Sequence, residues 1–133
     1  MMNIPRAHIR IDFSAACSLG PGKISLLEAI DHTGSLSGAA RSLGMSYRRA
    51  WLLLQSVNTG FQESAVELVA GGKDGGGAQL TVFGRRLITD YRQFESVVDQ
   101  LAKKAFDGVS ISSEARSSAA TRRRLTRKLP GKA

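Results

Sequence analysis

Fourteen residues near the middle of the chain leave few ways to fold: Gly34-Ser35-Leu36-Ser37-Gly38-Ala39-Ala40-Arg41-Ser42-Leu43-Gly44-Met45-Ser46-Tyr47. The Ser35 hydroxyl can accept from the free N–H groups of a helix start, so Ser35 caps a short helix. That helix carries Leu36, Ala39, Ala40 and Leu43. Gly44 ends it, because glycine enters the left-handed region without steric cost. Ser46 then caps a second helix. Ala39 and Ala40 are small where the two helices must approach closely, and Gly44 turns the chain between them. This is the pattern of a helix-turn-helix, whose second helix docks in the major groove of duplex DNA.

The flanks complete a larger plan. Ala7 to Phe13 alternates apolar and polar residues and reads as a half-buried strand. Gly20-Pro21-Gly22 breaks the chain. Ile24, Leu27, Ala29 and Ile30 then follow helical spacing up to Gly34. The helix capped by Ser46 runs to about Asn58. At 100° per residue, Tyr47, Ala50, Trp51, Leu54 and Val57 share one face, assigned to the core. Arg48, Arg49, Leu52 and Ser56 share the opposite face. Ala65–Ala70 and Ala78–Val82 read as two strands around a flexible loop, Gly71 to Gly77.

A last helix spans about Val82 to Phe106, with Thr81 able to cap it. Leu87, Tyr91, Phe94, Val98, Leu101 and Ala105 are spaced alternately by four and three. Such a narrow seam suits pairing with another helix, and the same helix of a second subunit is the expected partner. The expected fold class is therefore mainly α with a small β-hairpin: a winged helix-turn-helix plus a long C-terminal dimerisation helix. Residues 7–106 form that domain.

Charge sharpens the partner. The 133 residues carry a formal +8. Six of those units fall from Glu114 onward, in a stretch poor in large apolar residues. Residues 107–133 therefore read as a disordered basic tail, which either adds affinity for DNA or serves as a solubilising end without a partner. The longest apolar run, Ala50–Leu54, is far short of the ~20 residues that span a bilayer. Neither a membrane partner nor a signal peptide is expected. Cys17 is the sole cysteine and His8 and His32 the only histidines. No metal, cofactor or catalytic set is expected, and a cytoplasmic setting fits. The glycine run lacks the Gly-Lys-Ser/Thr ending of a phosphate-binding loop, so it reads as a wing turn.

The candidate DNA contacts follow from placement. Arg48 and Arg49 open the helix on its outward face, where an arginine can bond guanine edges. Ser35 and Ser46 are caps that can also touch phosphate. Leu52 shares the arginine face. Tyr47 stands between core packing and a phosphate contact, whereas Trp51 is assigned to the core. Lys73 sits at the wing tip, and Arg85 and Arg86 open the last helix beside the wing. The dimer interface is assigned to Leu87, Tyr91, Phe94, Val98 and Leu101.

One group of residues resembles a known family. Leu19-Gly20-Pro21-Gly22-Lys23, Leu26-Leu27-Glu28-Ala29-Ile30 and Gly34-Ser35-Leu36-Ser37 through Ala39-Ala40 carry part of the resemblance. Gly44-Met45-Ser46-Tyr47-Arg48-Arg49-Ala50-Trp51 carries more of it. The glycine-rich stretch Gly71-Gly72 and Gly75-Gly76-Gly77-Ala78-Gln79-Leu80-Thr81 completes it. Together they resemble the N-terminal DNA-binding domain of ModE, a family of bacterial molybdate-responsive transcription regulators with a LysR-type winged helix. The resemblance implies a homodimer built on the long C-terminal helix. Residues 107–133 are too short and polar for the family's molybdate-binding portion, so no small-molecule effector is expected. The readings to be separated are a dimeric, nucleoid-associated regulator binding two-fold sites in double-stranded DNA, a dimeric protein-interaction scaffold, and an oxyanion-responsive regulator.

Overall fold

A computed structural model describes residues 4–72 and 75–116. The elements run β1 (Ile11–Ser14), β2 (Cys17–Leu19), α1 (Pro21–Thr33), α2 (Leu36–Leu43), α3 (Tyr47–Gly60), β3 (Val66–Gly72), β4 (Gly75–Leu80) and α4 (Val82–Ala105). A short 3-10 turn follows at Glu114–Arg116. The chain is mainly α, with two antiparallel hairpins, β1–β2 and β3–β4, rather than the one expected.

The helix boundaries follow local chemistry. Pro21 stands at the start of α1, where its missing N–H costs nothing. Gly34 and Gly44 close α1 and α2 with φ of 79° and 67°, which L side chains rarely adopt. Ser35 Oγ accepts from Gly38 N at 2.9 Å and Ser46 Oγ from Arg49 N at 3.1 Å. Thr81 Oγ1 caps α4 by accepting from Gly84 N at 3.0 Å and donates to Ser64 O at 2.6 Å.

The core is built around α1, whose Ile24, Leu26, Leu27 and Ile30 are fully buried. Leu36, Ala39 and Ala40 of α2 and Ala50, Leu54 and Val57 of α3 close on it. Burial of each large aliphatic side chain contributes roughly 1.5–3 kcal/mol. The β3–β4 hairpin and the first half of α4 cover the remaining side through Val66, Leu80, Leu87 and Tyr91.

Four expectations change. Of the strand expected at Ala7–Phe13, only Ile11–Phe13 joins a ladder, within β1 and opposite β2. The preceding residues lie along α4 instead: Asp99 Oδ1 accepts from Ala7 N at 2.7 Å, and Tyr91 donates to Ile9 O at 2.7 Å. Side chains of α4 take the place of a neighbouring strand. The glycine loop is also shorter than expected, because the β3–β4 ladder runs on to Gly72 opposite Gly75. Backbone pairing needs no side chain, so composition concealed it.

The other two changes concern helix faces. Trp51 is 42% exposed, and Tyr47 and Leu43 are exposed too. The buried stripe of α3 is centred on Ala50, Leu54 and Val57, which leaves Tyr47 and Trp51 on its flank. In α4, Leu87 and Tyr91 pack into the chain's own core, so they are not free to form a seam with a partner. A helix that must first cover its own domain spends its N-terminal turns doing so. Phe94 and Leu101 remain exposed, the latter by 61%, and Val98 is half-buried.

Candidate nucleic-acid interface

The turn between α2 and α3 is fixed by backbone bonds. Gly44 N donates to Arg41 O at 3.2 Å and Met45 N to Ala40 O at 3.0 Å. These are the paired bonds of a Schellman stop, and the chain reaches Ser46 already aimed for a new helix. The core contacts of Ala50, Leu54 and Val57 set the rotation of α3. That rotation turns Arg48, Arg49 and Leu52 away from the body, and all three are exposed. With Ser46 and Leu53 they line an open concavity of about 320 Å³.

The electrostatics of this face are one-sided. No acidic residue occurs from His32 to Gln62, a stretch that contains Arg41, Arg48 and Arg49. Among the described residues none of these three arginines forms an ion pair, whereas Arg6, Arg10, Arg85, Arg86 and Arg92 do. An arginine carries five N–H donors in a planar fork. Two such forks, unpaired and side by side on a helix start, present donors toward solvent.

The flanking cations are less free. Arg85 pairs with Asp31 at 3.1 Å and Arg86 with Asp90 at 3.2 Å, all partly exposed. Such pairs are worth little and open readily toward a phosphate. Ser35 is committed to capping α2, and its neighbour Gly34 accepts from Ala78 N of β4 at 2.9 Å. That bond ties the hairpin to the α1–α2 corner and fixes where it stands beside α3. Lys73 lies outside the described residues, as does the tail from residue 117 onward.

Sequence reasoning missed the residue that joins α3 to the hairpin. Asn58 Oδ1 accepts from Ala65 N at 2.9 Å and from Val66 N at 3.2 Å, and its Nδ2 donates to Val66 O at 3.0 Å. The carboxamide thus serves Val66 as a neighbouring strand would. It also missed Gly84, where a Cβ would lie 2.1 Å from Ala65 O. Only glycine lets α4 start this close to β3. Both contacts join elements distant in sequence, and no local pattern announces them.

Away from α3, Tyr91 and Arg92 anchor α4. Arg92 donates two hydrogen bonds to the Glu28 carboxylate, at 2.9 and 2.7 Å, and one to Glu95 at 2.7 Å. These acceptors raise the Arg92 pKa above its ordinary value. Burial pushes the Tyr91 phenol up, with the Glu95 carboxylate adding to it; Arg92 and the bond to Ile9 oppose the rise. Beside them Phe13, Phe61 and Phe83 form an edge-to-face chain with centroids 5.3 and 5.6 Å apart. They border an apolar groove of about 450 Å³ that reaches Phe94. Among the described residues, no group of three or more His, Cys, Asp or Glu side chains is placed to hold a metal. No described helix is long and apolar enough to cross a membrane.

Comparison with known proteins finds sequence relatives of this chain. The chain is 37% identical over 102 residues to the "Molybdenum transport protein ModE" of Azotobacter vinelandii, covering 74% of this chain and 38% of that protein. It is 42% identical over 90 residues to the "DNA-binding transcriptional dual regulator ModE" of Escherichia coli, covering 68% of this chain and 33% of that protein. It is 43% identical over 83 residues to the "Molybdenum-pterin-binding protein MopB" of Rhodobacter capsulatus, covering 62% of this chain and 31% of that protein. The matches thus span roughly a third of each relative's length. No family model matches the chain.

Proposed function

We propose, from its homology to ModE and ModE-like proteins, that this chain is a sequence-specific DNA-binding transcriptional regulator. It acts as a homodimer with a winged helix-turn-helix of the LysR type in each subunit. α3 enters the major groove, and the β3–β4 hairpin is the wing. The observation that carries this reading is the Arg48–Arg49 couple on the outward face of α3, without an ion pair among the described residues and within an acid-free stretch. Each arginine can bond guanine N7 and O6, a contact worth ~1–3 kcal/mol of discrimination. Ser35, Ser46 and Tyr47 fit phosphate contacts at the groove edges. Arg85 and Arg86 serve the flanking backbone once their ion pairs open, and Lys73 extends the cationic line at the wing.

The dimer forms through the C-terminal half of α4, with Phe94, Val98 and Leu101 in the seam. The exposure of Phe94 and Leu101 in a single chain supports this. Two-fold pairing then calls for two half-sites about one helical turn, roughly 34 Å, or a multiple of it apart. No step of this function needs catalysis.

Footprinting on genomic fragments tests the reading. Wild type should protect discrete sites, whereas Arg48→Ala and Arg49→Ala should lose them and retain the melting temperature and the dimer. Sites that persist in the double variant, or no protected site at moderate salt, overturn it. The latter result favours a protein-interaction scaffold. Two of the three relatives carry molybdenum in their names, and so they do not support the expectation that no effector acts. Calorimetric titration with molybdate decides that point: tight binding establishes an oxyanion-responsive regulator.

A further inference from the structure

Leu52 is an exposed apolar side chain on the face of α3 that it shares with Arg48, Arg49 and Ser56. It is 50% exposed at the middle of the outward face. Arg48 lies one turn before it on the same side, since residues four apart on a helix are neighbours. Both side chains line the same concavity above the helix. The core of α3 is complete without Leu52, because Ala50, Leu54 and Val57 are already fully buried on the opposite face. No acidic residue from His32 to Gln62 would repel a phosphate backbone approaching this surface.

The occupant must therefore present apolar surface inside a strongly anionic frame. In the major groove one group meets that description, the C5 methyl of thymine. We infer that Leu52 reads a thymine methyl in each half-site, next to the base pair bonded by Arg48. The inference rests on the reading of α3 as the groove-inserted helix and adds the chemistry of one position. Arg48 and Leu52 are separated by about 6 Å along the helix, at 1.5 Å per residue. The base-pair rise is about 3.4 Å, so the thymine lies one or two steps from the guanine on that groove wall.

The test uses duplexes of a site selected by the wild-type protein, with each thymidine replaced singly by deoxyuridine. This substitution removes one methyl and leaves the hydrogen-bonding edge intact. Burying a methyl-sized group is worth ~0.8 kcal/mol, so one position per half-site should weaken wild-type binding about fourfold. The same substitution should change nothing for Leu52→Ala, while the remaining positions affect both proteins alike. Leu52→Met, which restores apolar contact, should regain part of the sensitivity.

A wild-type scan in which no thymine methyl matters overturns the inference, even if Leu52→Ala folds poorly. So does a methyl effect that is equal in wild type and Leu52→Ala. Failure of the wild type to select any sequence is a different result, and it removes the underlying reading of α3 instead.

Discussion

Asn58 gives the sharpest test of how α3 is held. Val66 is buried, and both its backbone N–H and its carbonyl meet the Asn58 carboxamide. The N–H of Ala65, a fully buried residue, meets it too. Asn58→Ala strips three hydrogen bonds at once and leaves two donors and one acceptor without that partner. Each bond contributes ~0.5–1.5 kcal/mol net, and an unsatisfied buried group costs ~1–3 kcal/mol. Some relaxation toward water is available at the half-buried Asn58, so about 2–4 kcal/mol is expected. A chain of 133 residues loses roughly 4 °C per kcal/mol, giving a fall of about 8–16 °C in Tm. Asn58→Asp keeps the acceptor but loses the donor to Val66 O, and it should fall between wild type and the alanine variant. Thermal melting followed by circular dichroism measures all three. An alanine variant melting within about 3 °C of wild type would refute the claim that this side chain clips α3 to the hairpin.

Three further outcomes follow from other contacts. Gly84→Ala forces a Cβ against Ala65 O and should destabilise the fold by at least ~1–3 kcal/mol, seen as a lower urea midpoint. Tyr91 has a folded pKa above its unfolded value of 10.0, so its share of stability is full below about pH 10 and disappears as pH rises through the folded value. Urea midpoints across that range should fall less steeply for Tyr91→Phe, which also loses the bond to Ile9 and ~0.5–1.5 kcal/mol at neutral pH. Phe94→Glu with Leu101→Glu should yield monomers by sedimentation while changing the secondary-structure spectrum little, because both side chains are exposed in the single chain. A persistent dimer would remove α4 from the proposed seam.

Much of the fold could be read from capping chemistry. Ser35, Ser46 and Thr81 each cap the helix assigned to them, and Gly34 and Gly44 stop the two helices they were expected to stop. These signals are local, so they survive without knowledge of packing. The errors arose where a helix has more than one surface to satisfy. Periodicity placed Tyr47 and Trp51 on the apolar side of α3, but only the packing of α1 and α2 defines how wide that side is. The α4 seam has the spacing of a helix pair, yet its first two members serve the domain core. Asn58 and Gly84 were invisible because their roles depend on residues 65 and 66 being brought to them by the fold. The candidate interface was legible as residue types on a helix start. That Arg41, Arg48 and Arg49 form no ion pair among the described residues became visible only once the ion pairs of the other arginines were known.

The role proposed for the face of α3 bearing Arg48 and Arg49 is to read duplex DNA as part of a two-fold dimer. Selection of bound sequences from a random duplex pool tests it most directly. Enrichment of an inverted repeat is expected, with guanine in each half-site and centres about one helical turn, roughly 34 Å, or a multiple of it apart. No enrichment is expected from the Arg48→Ala, Arg49→Ala double variant under the same conditions. A wild-type pool that stays random, or a double variant that enriches the same repeat, contradicts it.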